Sequence, residues 1–152
     1  MPLKPKIIYN PTAGKGSAGK ELPLVQALLR EKGFDFDLVL TNSRGHALEL
    51  SKEAVKEGRE LVIAAGGDGT INETINGLMQ SGSDSEDRPA LGVLPIGSGN
   101  DFSFGMGIPH DLHQACDALV QGKRRRIDVG FVRGGDYPEG RYFGNGVGMG
   151  FD

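Results

Sequence analysis

The segment Leu61-Val62-Ile63-Ala64-Ala65-Gly66-Gly67-Asp68-Gly69-Thr70 decides the fold of this 152-residue chain. Its first five residues are apolar without alternation, which is typical of a parallel strand that helices cover on both faces. Three glycines follow around Asp68, and a helix is predicted from Ile71 to Met79. A strand that passes through a glycine-rich turn into a helix presents free backbone N–H groups to an anion. The turn is therefore a candidate phosphate site.

Strands and helices alternate on both sides of this segment. The order βαβαβαβ predicts an α/β fold, a parallel sheet with right-handed crossovers and helices on both faces. Ligands of such sheets bind beyond the carboxyl ends of the strands, where the glycine-rich loops at 14–19, 66–69 and 97–107 lie. The other predicted elements are strands at 6–9, 36–40 and 91–95, a helix at about 18–32, a helix from a cap at Asn42 or Ser43 to Gly58, and a helix capped by Asp111.

The pattern changes after residue 126. Stretches from Ile127 to Val132 and from Arg141 to Phe143, separated by a glycine turn, are typical of antiparallel strands. We therefore expect an α/β domain at 1–126 and, at 127–152, the first strands of a second β domain that is cut off. Its last apolar residues would then lie on unpaired strands, which makes a homo-oligomer an expectation. These residues are Val147, Met149 and Phe151.

Composition excludes several classes of protein. A formal net charge of −3 and a pI near 5.6 provide no general basic field for nucleic acid. No apolar run reaches the roughly 20 residues of a membrane span, and no secretory signal precedes the first strand, so a cytoplasmic location is expected. The single cysteine, Cys116, cannot form an internal disulfide, and its helical apolar neighbours predict that it is buried.

The first glycine loop matches two phosphate motifs incompletely. The segment from Gly14 to Gly19 has the spacing G-x-G-x-x-G, and Lys20 adds most of a Walker A loop. However, Glu21 stands where Walker A needs Ser or Thr for Mg²⁺, and the second strand ends in Thr41 without the acidic residue of a dinucleotide site. A plain turn and a phosphate contact both remain open for this loop.

The turn around Asp68 carries a more specific signal. Thr70 and Glu73 have the spacing of a capping box, so both could be purely structural. Capping does not explain the Asp68 carboxylate at the mouth of the sheet. Beside a triphosphate, such a carboxylate requires Mg²⁺ or a hydroxyl proton between the two negative groups.

In the order of its short motifs, the chain resembles the diacylglycerol kinase catalytic-domain family, which includes sphingosine kinases and bacterial lipid kinases. The resemblance runs from Ile8 to Asp152. Its marks are Asn10-Pro11 with Gly14, Thr41 with Gly45-His46-Ala47, Gly66–Thr70, Asn72-Glu73 with Asn76-Gly77-Leu78, Pro95–Phe102, Ile127–Gly130 and Phe143-Gly144-Asn145. NAD kinases share the nucleotide domain of this family.

The resemblance implies an ATP site and a magnesium site. The ATP-binding residues that it implies are Asn10, Pro11, Thr12, Ala13, Gly14, Thr41, Gly66, Gly67, Asp68, Gly69, Thr70, Ile71, Asn72, Glu73 and Ser98. Asp68 is the implied catalytic residue, and Asp68, Asp101 and Asp128 are implied to organise Mg²⁺, partly through water. The family's catalytic base comes from the second domain and has no counterpart in this chain.

The expected function is therefore that of an ATP-dependent lipid kinase, which transfers a phosphoryl group from Mg-ATP to the hydroxyl of a lipid such as diacylglycerol. The lipid partner would be met at a membrane surface. Two alternatives stay open: a soluble kinase similar to NAD kinase, and a nucleotide-binding module without catalysis. The Pro95–Phe102 segment resembles the lipid branch more closely.

Two features near the end of the α/β region stand apart from these motifs. Ser103-Phe104 replaces an Ala-Arg pair that is usual in the family, so the contact of that arginine is missing. The run from Lys123 to Arg126 has two interpretations: attraction to anionic lipid, at about 1 kcal/mol per cation, or a solvated segment that leads into a strand.

Overall fold

The computed structural model describes residues 4–82 and 86–144. Four parallel strands form one sheet in the order β2-β1-β3-β4, so the predicted α/β fold is confirmed. Successive strands are joined through helices, as a parallel sheet requires. The strands are β1 (Lys6–Tyr9), β2 (Asp37–Leu40), β3 (Leu61–Gly66) and β4 (Ala90–Pro95); the helices are α1 (Ser17–Glu31), α2 (His46–Lys56), α3 (Asp68–Gln80), α4 (Asp101–Met106) and α5 (Leu112–Gln121).

The central strands β1 and β3 are buried on both faces because their residues alternate between two helical layers. Ile7 and Ile63 pack on one side in a cluster with residues of α1 and α5, while Ile8 and Val62 pack on the other in a cluster with residues of α2 and α3. This arrangement explains why Ile7, Ile8 and Tyr9 of β1 and the first five residues of β3 are apolar on both faces, whereas the buried Lys6 at the start of β1 pairs with Glu57. Cys116 of α5 is fully buried, as predicted, and burial raises the pKa of its thiol.

Several element boundaries differ from the predictions at the glycines. The α3 helix begins at Asp68, three residues before the predicted Ile71, because Gly67 takes an extended conformation and starts the helix. Neither Asn42 nor Ser43 caps α2; Gly45 precedes the helix with a φ of 86°, a left-handed conformation that suits glycine. The 97–107 loop contains a short helix, α4, that was not predicted. The predicted cap of α5 is confirmed.

An antiparallel hairpin follows the α/β sheet. Its strands are β5 (Gly130–Gly134) and β6 (Tyr137–Phe143). The predicted antiparallel strands after residue 126 are thus confirmed, although the first strand starts three residues after Ile127. The residues of 145–152, including Val147, Met149 and Phe151, lie outside the described part of the chain. The predictions of a broken-off sheet and of self-association therefore stay predictions.

The hairpin is fastened to α3 by one buried amide. The Asn76 side chain is 2% exposed, its Oδ1 accepts from the Tyr142 backbone N–H at 2.9 Å, and its Nδ2 donates to the Tyr142 carbonyl at 2.9 Å. The amide thus satisfies both backbone groups of one β6 residue, as a neighbouring strand would. The helix that begins at the glycine turn therefore also positions the second sheet.

Among the described residues, no helix combines the length and the apolar character that crossing a bilayer requires.

We expect Gly77→Ala to destabilise the fold although Gly77 lies within a helix. An alanine Cβ at this position would overlap the Leu48 carbonyl oxygen and come within 2.5 Å of the Ser51 Cβ. Overpacking typically costs about 1–3 kcal/mol, and the helix propensity of alanine returns only about 1 kcal/mol. Thermal or urea unfolding should therefore show a net loss of up to about 2 kcal/mol.

The matched control for this substitution is Gly105→Ala in α4. A Cβ at Gly105 has no heavy atom within 4 Å, so this variant should be neutral or slightly stabilised. Equal stability of the two alanine variants would contradict the close packing of α2 against α3.

Candidate functional site

The glycine loops after β3 and β4 meet at the carboxyl edge of the sheet. A Cβ on Gly97 would overlap the Cα of Gly67, so the two loops pack backbone against backbone. A Cβ on Gly66 would come within 2.5 Å of the Thr70 hydroxyl oxygen. These glycines are therefore required by the loop packing itself. Gly69 differs, because it is exposed and a Cβ placed on it would meet no other described residue outside its own helix within 4 Å.

The amino end of α3 carries no side-chain cap. Gly67 precedes the helix, and the Ile71 N–H donates to the Gly67 carbonyl at 3.1 Å. The capping-box alternative is wrong, because Thr70 and Glu73 bond to other elements. An uncapped helix end with its positive dipole is the local structure that binds phosphate or carboxylate groups.

The two residues of the supposed capping box orient the neighbouring loops. The Thr70 Oγ1 accepts from the Asn10 side-chain amide at 3.0 Å, and the Glu73 Oε1 accepts from the Gly45 backbone N–H at 2.8 Å. The first bond ties the end of β1 to α3, and the second ties the start of α2 to α3. The loops after β1 and β2 thus converge on the same helix end.

The end of β1 is fixed by hydrogen bonds to both neighbouring strands and to α1. The Tyr9 hydroxyl is buried and donates to the Ala18 carbonyl at 2.6 Å, and burial raises the Tyr9 pKa to about 12. The Tyr9 carbonyl accepts from the Thr41 N–H at 2.8 Å, and the Asn10 N–H donates to the Ala65 carbonyl at 2.8 Å. Asn10 and Thr41 are therefore held on rigid strand ends, which suits residues that contact a ligand.

A cavity of about 440 Å³ opens beside this helix end. Arg44 is the only cation among its described lining residues, which also include the exposed Gly69. Six of the residues predicted to bind ATP line the cavity: Asn10, Thr12, Thr41, Gly69, Thr70 and Glu73. The remaining lining residues, which the sequence analysis missed, are Asn42, Ser43, Arg44 and Ala47.

Asn42, Ser43 and Arg44 follow Thr41 directly along the chain, whereas Ala47 lies in the first turn of α2. The available signal for the first three was their position between the end of β2 and Gly45, since the loops at the carboxyl ends of parallel strands share one edge. The sequence gives no signal for Arg44, because a lone cation in a polar loop belongs to no motif.

Other predicted ATP-binding residues lie outside this cavity. Ile71 is 1% exposed and packs in the core, so only its backbone can approach a ligand. Ser98 is exposed on a loop that the Asn100 side chain closes by bonding to both backbone groups of Gly97. The others outside the cavity are Pro11, Ala13, Gly14, Gly66, Gly67, Asp68 and Asn72. Their contacts stay predictions.

Asp68 has a structural role that the sequence did not indicate. Its Oδ2 accepts from the Asp101 N–H at 3.1 Å, and its Oδ1 accepts from the Phe102 N–H at 2.9 Å. The carboxylate therefore supplies the amino end of α4 with the cap that this helix lacks locally. A carboxylate has about four lone-pair sites, so two of them remain for a metal ion or for water.

The three aspartates predicted to organise Mg²⁺ are not all brought together. A Cβ at Gly99 would lie 3.2 Å from the Asp68 Oδ2 and 3.9 Å from the Asp101 Oδ1, so these two carboxylates flank the same glycine. Asp128 instead lines a separate cavity of about 750 Å³ with Arg88. The described residues contain no cluster of three or more potential metal ligands.

Asp68 and Asp101 nevertheless fit a magnesium ion that is shared with a ligand. Mg²⁺ is usually held by one or two carboxylates together with substrate phosphates and water. Two carboxylates that flank the same glycine beside an uncapped helix end meet that requirement, whereas Asp128 does not join them in this structure.

Residues 4–132 match the family model of the diacylglycerol kinase catalytic domain. The chain belongs to the diacylglycerol kinase catalytic-domain family. The predicted resemblance is thus confirmed.

Bacterial members of this family are similar to the chain in sequence and in structure. A diacylglycerol kinase of Bacillus subtilis is 42% identical over 130 residues, which cover 85% of the chain and 42% of the relative. A diacylglycerol kinase from Staphylococcus aureus is 38% identical over 130 residues, which cover 86% of the chain and 40% of the relative. The crystal structure of a diacylglycerol kinase from Bacillus anthracis superposes with a TM-score of 0.72 at 32% identity, covering 83% and 42%. The chain thus spans about two fifths of the length of these curated relatives.

We expect Asp68→Asn to loosen α4 even without any ligand. An asparagine offers one acceptor oxygen where the aspartate offers two, so one amide of α4 loses its partner and the helix loses a favourable charge. A lost cap costs about 1 kcal/mol, which corresponds to roughly fivefold faster amide exchange. Hydrogen exchange should show this acceleration at Asp101 and Phe102.

The remote control for this measurement is the amide of Gln114, which donates to the Asp111 cap of α5 at 3.0 Å. Its exchange should not change. Unaltered exchange at both Asp101 and Phe102 would show that the carboxylate does not hold α4.

Proposed function

We propose that this chain binds Mg-ATP and forms the nucleotide-binding part of a lipid kinase. The observation that carries this proposal is the uncapped amino end of α3, which opens beside Arg44 on a cavity of about 440 Å³. The family membership and the relatives named diacylglycerol kinase support a lipid as the acceptor. The reaction proposed for the whole enzyme is transfer of the γ-phosphoryl group of ATP to a lipid hydroxyl.

Positioning and charge neutralisation are most of what phosphoryl transfer asks of a protein. In the proposed complex, the backbone N–H groups of Gly69 and Thr70 hold phosphate oxygens, and Arg44 supplies a positive charge on the opposite wall. Asp68 and Asp101 are the residues that would hold Mg²⁺. The ion would neutralise the charge of the phosphates when it is bound.

The same proposal divides the chain into two domains. Residues 1–126 form the nucleotide domain, and residues 127–152 begin a second, β-rich domain. The binding site for the lipid acceptor and the catalytic base would be supplied by protein beyond the matched two fifths of the relatives. We therefore propose that the 152-residue chain binds nucleotide but transfers phosphate to lipid only at background rates, and that the acceptor is met at a membrane surface to which the enzyme binds peripherally.

We expect Mg-ATP to raise the melting temperature of the chain. A ligand present at about 100 times its Kd stabilises the folded state by about 2.7 kcal/mol. For a domain of this size, that corresponds to a shift of about 5–10 °C. Asp68→Asn should lose the Mg²⁺-dependent part of the shift, which differential scanning fluorimetry with and without Mg²⁺ measures.

Lys20→Ala is the control for the nucleotide measurement, because Lys20 is exposed and does not line the cavity. Its shift should match that of the unmodified chain, whereas Asn10→Ala should reduce it. A chain that ignores Mg-ATP would refute the proposed site, and a collapse on losing Lys20 would identify the first glycine loop as the phosphate site.

The acceptor is tested by a chimaera in which this chain replaces the matching part of the Bacillus subtilis relative. We expect radiolabel from γ-labelled ATP to enter the lipid extract with diacylglycerol micelles and not to appear in NADP when NAD is offered. The isolated chain should remain at background in both assays. Labelled NADP with unlabelled lipid would favour the soluble-kinase alternative, and nucleotide binding without transfer in any context would favour a non-catalytic module.

A further inference from the structure

Four consecutive cations lie beside an apolar cavity at the edge of the sheet opposite β2. We call Lys123, Arg124, Arg125 and Arg126 the basic rim; all four are exposed. No ion pair to a carboxylate occurs at any of the four within residues 4–82 and 86–144. Removing these charges would change the formal net charge from −3 to −7. The rim is thus a local positive surface on an otherwise acidic chain.

The cavity has an apolar floor. Its volume is about 370 Å³, and it lies along β4, the edge strand of the parallel sheet. Three residues of the rim, Lys123, Arg124 and Arg125, line its mouth. The apolar lining residues are Ala90, Leu91, Val93, Phe102, Met106, Ile108 and Ile127. An apolar floor next to a row of cations can contact both the apolar chain and the charged headgroup of an anionic amphiphile.

Two of the segments that line this cavity also carry exposed apolar side chains. Phe104 projects from α4 and is 79% exposed, the largest exposure among the large apolar residues described. Ile127, which follows the rim in sequence, is 38% exposed. An exposed aromatic ring beside cations with apolar stems is typical of proteins that lie in a membrane interface.

One hydrogen bond connects the rim to the candidate site. The Arg125 Nη2 donates to the Met106 carbonyl at 2.8 Å and lies 3.3 Å from the Met106 sulfur, at the last residue of α4. The first residues of the same helix bind the Asp68 carboxylate. At 1.5 Å per residue, the two ends are about 7 Å apart along the helix axis. A surface that binds the rim is therefore held close to Asp68.

We propose that the basic rim, Phe104 and the apolar cavity dock this chain on the anionic leaflet of a membrane. The cations contact lipid phosphates, and Phe104 and Ile127 enter the boundary between headgroups and acyl chains. The acidic remainder of the chain is repelled by the same leaflet, so the rim sets the orientation of the protein. This proposal rests on the proposed lipid kinase function for its purpose, since docking would bring the acceptor to the end of α4 near Asp68.

Acidic residues near the rim do not cancel its charge. Glu86 and Asp128 line the adjoining cavity of about 750 Å³ together with Arg88 and three rim arginines. Cations therefore outnumber carboxylates there by four to two. RNA would also be attracted by this charge, but it offers nothing to the aliphatic floor, which favours a lipid surface.

The test is co-sedimentation of the chain with vesicles of phosphatidylcholine alone or with about one third phosphatidylglycerol, at low salt. The chain should bind the anionic vesicles at least tenfold more tightly. The double variant Arg124→Gln/Arg126→Gln should weaken binding about 25-fold, at about fivefold per charge. Arg125 is kept in this variant because it bonds to Met106. Phe104→Ser should weaken binding about tenfold, in the presence as well as the absence of 1 M salt.

The charge-matched control is Arg30→Gln/Lys56→Gln, which removes two exposed cations from α1 and α2. Its binding should change less than twofold. Equal binding to both kinds of vesicle, no binding by the unmodified chain, or equal losses in the control would overturn the proposal. So would a dimer that the rim variants dissociate in sedimentation velocity without any vesicle binding, or RNA binding that replaces vesicle binding.

The same variants keep this inference separate from the proposed function. Their melting temperatures and Mg-ATP shifts, measured without vesicles, should match those of the unmodified chain. Vesicle binding without an Mg-ATP shift would refute the nucleotide site and leave the docking surface standing. An Mg-ATP shift without vesicle binding would do the reverse.

Discussion

The contact between the Asp68 carboxylate and the first amides of α4 is the constraint on which the candidate site depends. Asp68 is itself the first residue of α3, so its two hydrogen bonds join the amino ends of two helices. The contact is possible only because the Gly67 and Gly97 backbones touch, which brings the two loops within reach of each other. Both helix ends therefore face the same edge of the sheet.

This constraint gives Asp68 two roles that a sequence motif cannot separate. Its carboxylate completes the fold of the second glycine loop, and its remaining lone pairs leave room for the proposed Mg²⁺. An ion at this position would draw on the same charge that now stabilises α4. Nucleotide binding and the order of α4 are thus expected to be linked, with the basic rim at the other end of that short helix.

The α3 helix is the element around which the other loops are arranged. In its first turn, Thr70 accepts a hydrogen bond from the Asn10 side chain, and one turn later Glu73 accepts one from the Gly45 N–H that precedes α2. Asn76 then bonds to both backbone groups of Tyr142 in β6. A rigid helix transmits displacement along its axis, so the position of the hairpin is tied to the geometry of the glycine turn. In the proposed enzyme, this helix would relate the nucleotide to the second domain.

The sequence by itself determined the features that rest on local physics. The unbroken apolar run of β3 requires burial on both faces, the alternation of strands and helices requires a parallel sheet, and the Asp111 side chain caps the helix that follows it. The family resemblance, carried by the order of short motifs, also lay in the sequence. The ATP and magnesium contacts that it implies stay predictions.

Only the tertiary structure decided which polar groups meet. Arg44 reaches the cavity because β2 ends beside β1, Glu73 binds Gly45 instead of capping its own helix, and Asp68 caps α4 across two loops. Asp128 likewise lies apart from Asp68, although both belong to the motif series. Each outcome depends on partners about 30 or more residues away, and the free energy of a hydrogen bond to such a partner is absent from any local pattern of apolar and polar residues.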